Sequence, residues 1–176
     1  MSHIKIVEKA RKGDEKAFLK LIQYEKSKLY RTAFLYVKNE GDALEIVQET
    51  IYKAYSSIGS LKEPSYFSTW LTRILINTSL DFIKKNKKII PIDQESLERI
   101  ESSEGFMLED KLDLLTAIEE LTEKYKTVII LRYYKDLKVT EIAEILDCPE
   151  GTVKTNLHRA VNLLKAKLIK EVRINE

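Results

Sequence analysis

Apolar residues recur every three or four positions along almost the whole chain, a period that predicts a succession of helices. Ile4 to Arg11 reads as a short helix ending at Gly13, and Asp14 is placed to cap the long helix that follows. That helix would bury Ala17, Phe18, Leu21, Ile22, Leu29, Ala33, Phe34 and Val37 before Asn39-Glu40-Gly41 breaks the pattern. From about Asp42 to Ile58 the buried stripe is Ala43, Val47, Ile51, Ala54, Tyr55 and Ile58. A loop over Leu61 to Ser65, punctuated by Pro64, leads into a helix in which Phe67, Trp70, Leu71, Ile74, Leu75, Thr78 and Phe82 keep helical spacing. The period lapses from Pro91 to Asp110 and resumes near Lys111 in a helix to Leu121. Thr122 then offers an N-cap for a segment that turns Tyr125, Val128, Ile129 and Leu131 inward.

The last periodic stretch, Val139 to Lys165, reads as a helix-turn-helix. Ile142, Ala143 and Leu146 share one face, Cys148-Pro149-Glu150-Gly151 interrupts, and Val153, Leu157, Ala160 and Leu164 mark the second helix. Thr140 can cap the first helix, and Pro149 suits the first position of the second, where its missing N–H costs nothing. Opposite the second stripe lie Gly151, Thr155, His158, Arg159 and Asn162, flanked by Lys154 and Asn156. Hydroxyl, imidazole, guanidinium and amide groups in a row suit the donors and acceptors of a major groove. The same row would also serve as an ordinary solvated helix face.

Composition narrows the class. Five Gly, three Pro and no Asn-Gly or Asp-Gly hairpin signal leave an all-α protein of 176 residues, enough for one domain or two small ones. A single Cys forms no internal disulfide, and neither a secretory segment nor an apolar run of about 18 residues is present, so a reducing cytoplasm is expected. One Cys and two His leave little for zinc or nucleophilic chemistry, and no phosphate-cradling glycine loop occurs, so neither enzyme activity nor a cofactor is expected.

Net charge is only +2, so the distribution of charge must carry any argument for nucleic acid. Asp42, Glu45, Gln48, Glu49 and Tyr52 form an acidic, amide-bearing face fit for a basic partner or simply for water. The helix from Phe67 carries Arg73, Asn77, Asp81, Lys84, Lys85, Lys87 and Lys88, and four lysines in five residues exceed what a helix C-terminus needs. Aromatic side chains beside these cations fit unstacked bases. Between Pro91 and Asp110, seven acids face only Arg99, which reads as a flexible acidic linker between two helical domains. Beyond the helix-turn-helix, Lys165, Lys167, Lys170 and Arg173 outweigh Glu171 and extend a basic face.

Three segments in order, DALEIVQETIYKAY, FSTWLTRILINTSLDFIKK and LTEKYKTVIILRYYKDLKVTEIAEILDCPEGTVKTNLHRA, resemble the compact bacterial sigma factors of the extracytoplasmic-function group. Together they span most of the chain from about Gly13 to Lys165. The resemblance implies a polymerase specificity subunit without an active site of its own, built as a region 2-like domain (1–90), a linker (91–110) and a region 4-like domain (111–176). Asp42, Glu45, Gln48 and Glu49 would then dock on core RNA polymerase. Lys62, Tyr66, Arg73 and Asn77 would meet the melted minus-ten strand, with Lys84 and Lys85 on its phosphates. Lys154, Thr155, His158 and Arg159 would face the duplex minus-thirty-five element, with Thr140 and Thr152 nearer phosphates.

The loop Leu61-Lys62-Glu63-Pro64-Ser65 lacks the arginine and glycine frequent in the family, and Thr122 stands where proline is common. The group also implies an anti-sigma factor, in many members membrane-anchored, and a role in stress or cell-envelope responses. Without the resemblance, two other readings of the residues stay open: a dimeric helix-turn-helix regulator that binds operators without polymerase, and a helical adaptor that binds only protein.

Overall fold

The structure, a computed structural model, describes residues 3–87, 114 and 116–174; of Lys87 and residues 169–174 it describes only the backbone. Every element among the described residues is helical. The chain divides into two compact units, Met1–Ile90 and Pro91–Glu176. The acidic stretch 91–110 and Lys88 lie outside the described residues, as do the side chains of Lys87, Lys170, Glu171 and Arg173.

The first unit consists of α1 (His3–Arg11), α2 (Glu15–Val37), α3 (Glu40–Ser57) and α4 (Phe67–Lys87). Helix α2 packs against the other three, and α3 packs on α4. Gly13, at φ +90°, makes the reversal between α1 and α2 in a conformation that costs a side chain but not glycine. Asp14 caps α2 as its spacing predicts, its carboxylate accepting from the Ala17 N–H at 3.0 Å. Asp14→Ala should lower the stability of this unit by about 1 kcal/mol. Denaturant unfolding followed by circular dichroism measures that loss, and an unchanged midpoint would show that the cap does not stabilise the unit.

The core joins Val7, Leu21, Leu29, Ile46, Phe67, Leu71, Leu75 and Ile76, all fully buried, with Trp70 partly buried against it. Three expectations need correction. Helix α3 begins two residues early, because Asn39 is its N-cap, accepting from the Asp42 N–H at 3.0 Å, and Glu40 and Gly41 form its first turn. Tyr55 is exposed; Ile46 and Thr50 take the interior positions instead. The Thr50 hydroxyl is reconciled with burial by donating to the Ile46 carbonyl at 2.7 Å. Helix α2 also buries Glu25, Thr32 and Tyr36, which interrupt its apolar spacing.

In the second unit, a helical turn at 116–119 precedes α5 (Glu123–Ile129), which continues through a wider helical turn at Ile130–Tyr134. Helices α6 (Val139–Leu146) and α7 (Glu150–Ile174) follow, and α5 and α6 both pack on α7. Val128, Leu131, Ile142, Val153 and Ala160 are the innermost residues. Thr122 occupies the N-cap position of α5 through its carbonyl, which accepts from Tyr125 and Lys126, while its hydroxyl makes no capping bond.

Thr140 is not a cap. Lys138 precedes α6 as its N-cap, and the Glu141 carboxylate accepts from the Lys138 N–H at 2.8 Å. Pro149 lies one residue before α7, where its carbonyl accepts the first helical bonds, from Thr152 and Val153. The break between the helices therefore falls at Asp147 to Pro149. Asp147 adopts φ 50°, a left-handed conformation that aspartate tolerates better than most residues.

Candidate nucleic-acid interface

Helix α7 carries the row anticipated from the sequence. Gly151, Thr152, Lys154, Thr155, His158, Arg159 and Asn162 are all exposed, while Val153, Ala160 and Leu164 are buried on the opposite side. No described residue pairs with the Arg159 guanidinium, so all its donors are available. The Thr155 hydroxyl donates to the Gly151 carbonyl at 2.8 Å, which leaves Thr155 its lone pairs and its methyl group for an incoming base. Lys154 pairs with Glu150 at 3.5 Å across an exposed turn, an interaction worth little that a phosphate can replace. The Asn162 amide stands 3.4 Å from the His158 ring nitrogens, at the limit of hydrogen bonding, so the imidazole is only loosely held.

Gly151 needs no special backbone conformation, and a Cβ there would meet nothing within 4 Å. Alanine would favour the helix by about 0.5–1 kcal/mol, so nothing within the fold requires glycine here. The Thr152 N–H already donates to Pro149 at 2.9 Å. A phosphate at this helix end would instead meet the unpaired amides before it and the Thr152 hydroxyl.

Two expectations change in this unit. Asn156, expected beside the outward row, is buried at 8% exposure, because it lies nearer to Ala160 around the helix than to Thr155. Thr140 is exposed but lines a cavity with Glu144, Asp147 and Glu150, carboxylates that oppose a phosphate there. Lys167 pairs with Glu120 and is thus partly neutralised, which shortens the basic face beyond the row.

In the first unit, α4 separates its polar residues onto two sides. Arg73, Asn77 and Lys84 are exposed and fall within about 40° of one another around the helix axis, with Tyr66 and Lys62 exposed in the segment just ahead of the helix. Lys85 is turned away from that row. It lines a groove of about 490 Å³ between α3 and α4 with Glu45, Gln48, Glu49, Tyr52, Lys53 and Asp81. The structure thus brings Lys85, expected on strand phosphates, beside the acids expected to dock on polymerase. Glu49 pairs with Lys53 at 3.4 Å, and Lys53 reaches the Thr78 hydroxyl. Asp42 stands apart, in the first turn of α3, where its charge favours the helix dipole.

On its other flank the acidic face meets an apolar one. Leu19, at 60% exposure, Tyr52, at 67%, and Tyr55 line a second groove with Glu15, Phe18, Gln48 and Ile51. The Tyr55 hydroxyl donates to Glu15 at 2.9 Å. That bond, then the carboxylate charge and slight burial, raise the Tyr55 pKa above its ordinary 10.0.

The Sigma-70 region 2 family model matches residues 21–89, and the Sigma-70 region 4 model matches residues 111–164. The RNA polymerase sigma factor SigV of Bacillus subtilis is 46% identical over 83% of this chain and 87% of its own length. SigW of the same bacterium, an ECF RNA polymerase sigma factor, is 35% identical over 93% of this chain and 95% of its own. The chain belongs to the ECF sigma factors. Two solved structures share the fold at a TM-score of 0.72. One is CnrH in complex with the cytosolic domain of CnrY, 21% identical over 96% of this chain and 97% of that one. The other is the sigma factor RpoE of Bartonella quintana in complex with the anti-sigma factor NepR, 23% identical over 87% and 97%.

The region 2 match therefore covers the α3–α4 groove and the Tyr66 row of this sigma factor, and the region 4 match covers the α7 row. Two positioning residues escape a sequence reading. The Arg132 guanidinium donates to the Leu137 carbonyl at 2.9 Å, bracing the turn that launches α6; nothing in the local sequence marks it. Buried Glu25 accepts from the Ser68 hydroxyl at 3.1 Å, tying α2 to the first turn of α4 just past Tyr66. An acid at a core position of the α2 stripe was the available signal.

Proposed function

We propose that this sigma factor divides promoter reading between its units: the α3–α4 groove docks on core RNA polymerase, the Tyr66 row takes the melted minus-ten strand, and the α7 row reads the minus-thirty-five duplex. The observation that carries this reading is the outward row of α7, where Arg159 stands free beside Lys154, Thr155 and His158 on a face that contributes nothing to the core. Arg159 suits bidentate recognition of a guanine, and Thr155 an acceptor or thymine-methyl contact. Lys154 and Thr152 serve phosphates, with Thr140 at the periphery of the contact. Glu45, Gln48 and Glu49 present acids and an amide to a basic element of the polymerase, and Lys85 belongs to the edge of that groove. Lys62, Tyr66, Arg73 and Asn77 receive the strand, with Lys84 on its backbone.

Tyr66 is a flat, exposed platform for an unstacked base. Tyr66→Ala should cost about 1–3 kcal/mol in binding a single-stranded minus-ten oligonucleotide to the holoenzyme, and spare duplex binding by region 4. Undiminished oligonucleotide binding would remove Tyr66 from the strand path.

By analogy with the CnrH and RpoE complexes, an anti-sigma factor holds this chain until a stress or cell-envelope signal releases it. Inducing the protein in its host and sequencing transcript 5′ ends tests the whole reading. New starts should share two upstream elements, and a transcript map identical to the uninduced one would overturn it.

A further inference from the structure

We propose that Arg11 and Lys12, at the end of α1, bind a backbone phosphate of the promoter strand that passes the minus-ten loop. This rests on the strand path proposed above and extends it to a helix that neither groove nor row includes. Glu8, Arg11, Lys12 and Gly59 line a cavity of about 320 Å³. Arg11 is one wall of it, and its Nε is buried with no hydrogen-bond partner, although a guanidinium N–H shut away from water costs stability unless something accepts from it. Glu8 is three and four residues from the two cations, the right helical spacing to pair with both. Yet no ion pair joins these side chains to each other or to other described residues.

Placing cations at a helix C-terminus satisfies the dipole, which accounts for the charge of Arg11 and Lys12. It does not account for a cation on a cavity wall that has neither an ion-pair partner nor an acceptor for its Nε. An acceptor from outside does, and phosphate is the acceptor that a guanidinium and an ammonium together suit best.

Location selects nucleic acid as its source. Helix α1 packs against both short helical turns of the loop, Ile58–Ser60 and Pro64–Tyr66, and the His3 ring lies against Phe67, 6.0 Å between centroids. Gly59, on the cavity wall, precedes Lys62 by three residues, a span of at most about 10 Å. A strand held by Lys62 and Tyr66 therefore carries its neighbouring phosphates close to Arg11. Gly59 has open space where a Cβ would stand, so the wall of the cavity leaves room for the phosphate oxygens.

The test uses holoenzyme assembled from the full chain and core polymerase, with a premelted fragment of a promoter mapped from transcript ends as probe. Neutralising one single-strand phosphate contact changes the slope of log affinity against log salt by about 0.7. The double variant Arg11→Gln, Lys12→Gln should bind several-fold more weakly at low salt, with a slope shallower by about that amount. Lys12→Gln alone, at an exposed site that leaves the fold intact, should show part of the same change. Glu8→Gln should act in the opposite direction and tighten binding, because it removes a like charge from the cavity. Slopes that match wild type in both Lys12 variants, or a Glu8→Gln variant that binds no tighter, would overturn the proposal. Failure of the wild-type holoenzyme to select the fragment would instead count against the strand path on which it rests.

Discussion

Glu49→Lys should lower the affinity of this sigma factor for core RNA polymerase by tenfold or more, about 1.4 kcal/mol at least. The magnitude follows from where the carboxylate sits. Glu49 lines the α3–α4 groove with Glu45 and Gln48, so a basic element lying in that groove would meet it partly shielded from water, where like charges brought together cost several kcal/mol. The fold itself should tolerate the change. Glu49 makes a half-exposed ion pair with Lys53, and such i,i+4 pairs contribute only about 0.3–0.5 kcal/mol. Binding of the intact chain to duplex minus-thirty-five DNA without polymerase should be unaltered. Titration of labelled protein with core polymerase measures the effect, and Glu49→Gln should fall between wild type and the reversal. Normal core affinity in Glu49→Lys would remove the groove from the docking surface.

Arg159→Ala should cost about 1–3 kcal/mol at promoters that carry its guanine and relax preference at one upstream base pair. The side chain is exposed and contributes nothing to the core, so stability should change by less than about 0.5 kcal/mol. Loss confined to one position distinguishes a base contact from a phosphate contact. Lys154→Ala supplies the contrast: it should weaken binding evenly across sequences and make the salt dependence shallower by about one counterion. If Arg159→Ala behaves like Lys154→Ala, Arg159 is a phosphate ligand and the guanine reading fails.

What the sequence revealed and what it hid follow from the range of the interactions. The Asp14 cap was legible because its partner, Ala17, is three residues away. The α7 row was legible because a helical period alone places Thr155, His158 and Arg159 together. Misplacements arose where a neighbouring element decides the outcome. Tyr55 keeps the spacing of the α3 stripe yet lies at its edge, where Glu15 of α2 holds its hydroxyl in solvent. Asn156 looks polar and outward, but α7 is covered there by its neighbours. Lys85 belongs to a lysine run that suggested one surface, whereas a single residue turns the helix by about 100° and moves it from the strand row to the groove. Thr140 invited a capping role that Lys138 and Glu141 perform one turn boundary earlier. The Arg132 brace and the unsatisfied Arg11 Nε depend on chain geometry that no local motif encodes.

On the proposed reading, α7 chooses a promoter only as one part of a polymerase holoenzyme, with region 2 supplying the rest of the affinity. Transcription reconstituted from purified core polymerase and this chain, on promoters mapped in the host, tests it most directly. Wild-type protein should give starts at defined positions downstream of two shared elements, and Arg159→Ala should lose those at guanine-bearing promoters. Starts that are the same with and without the chain would contradict it.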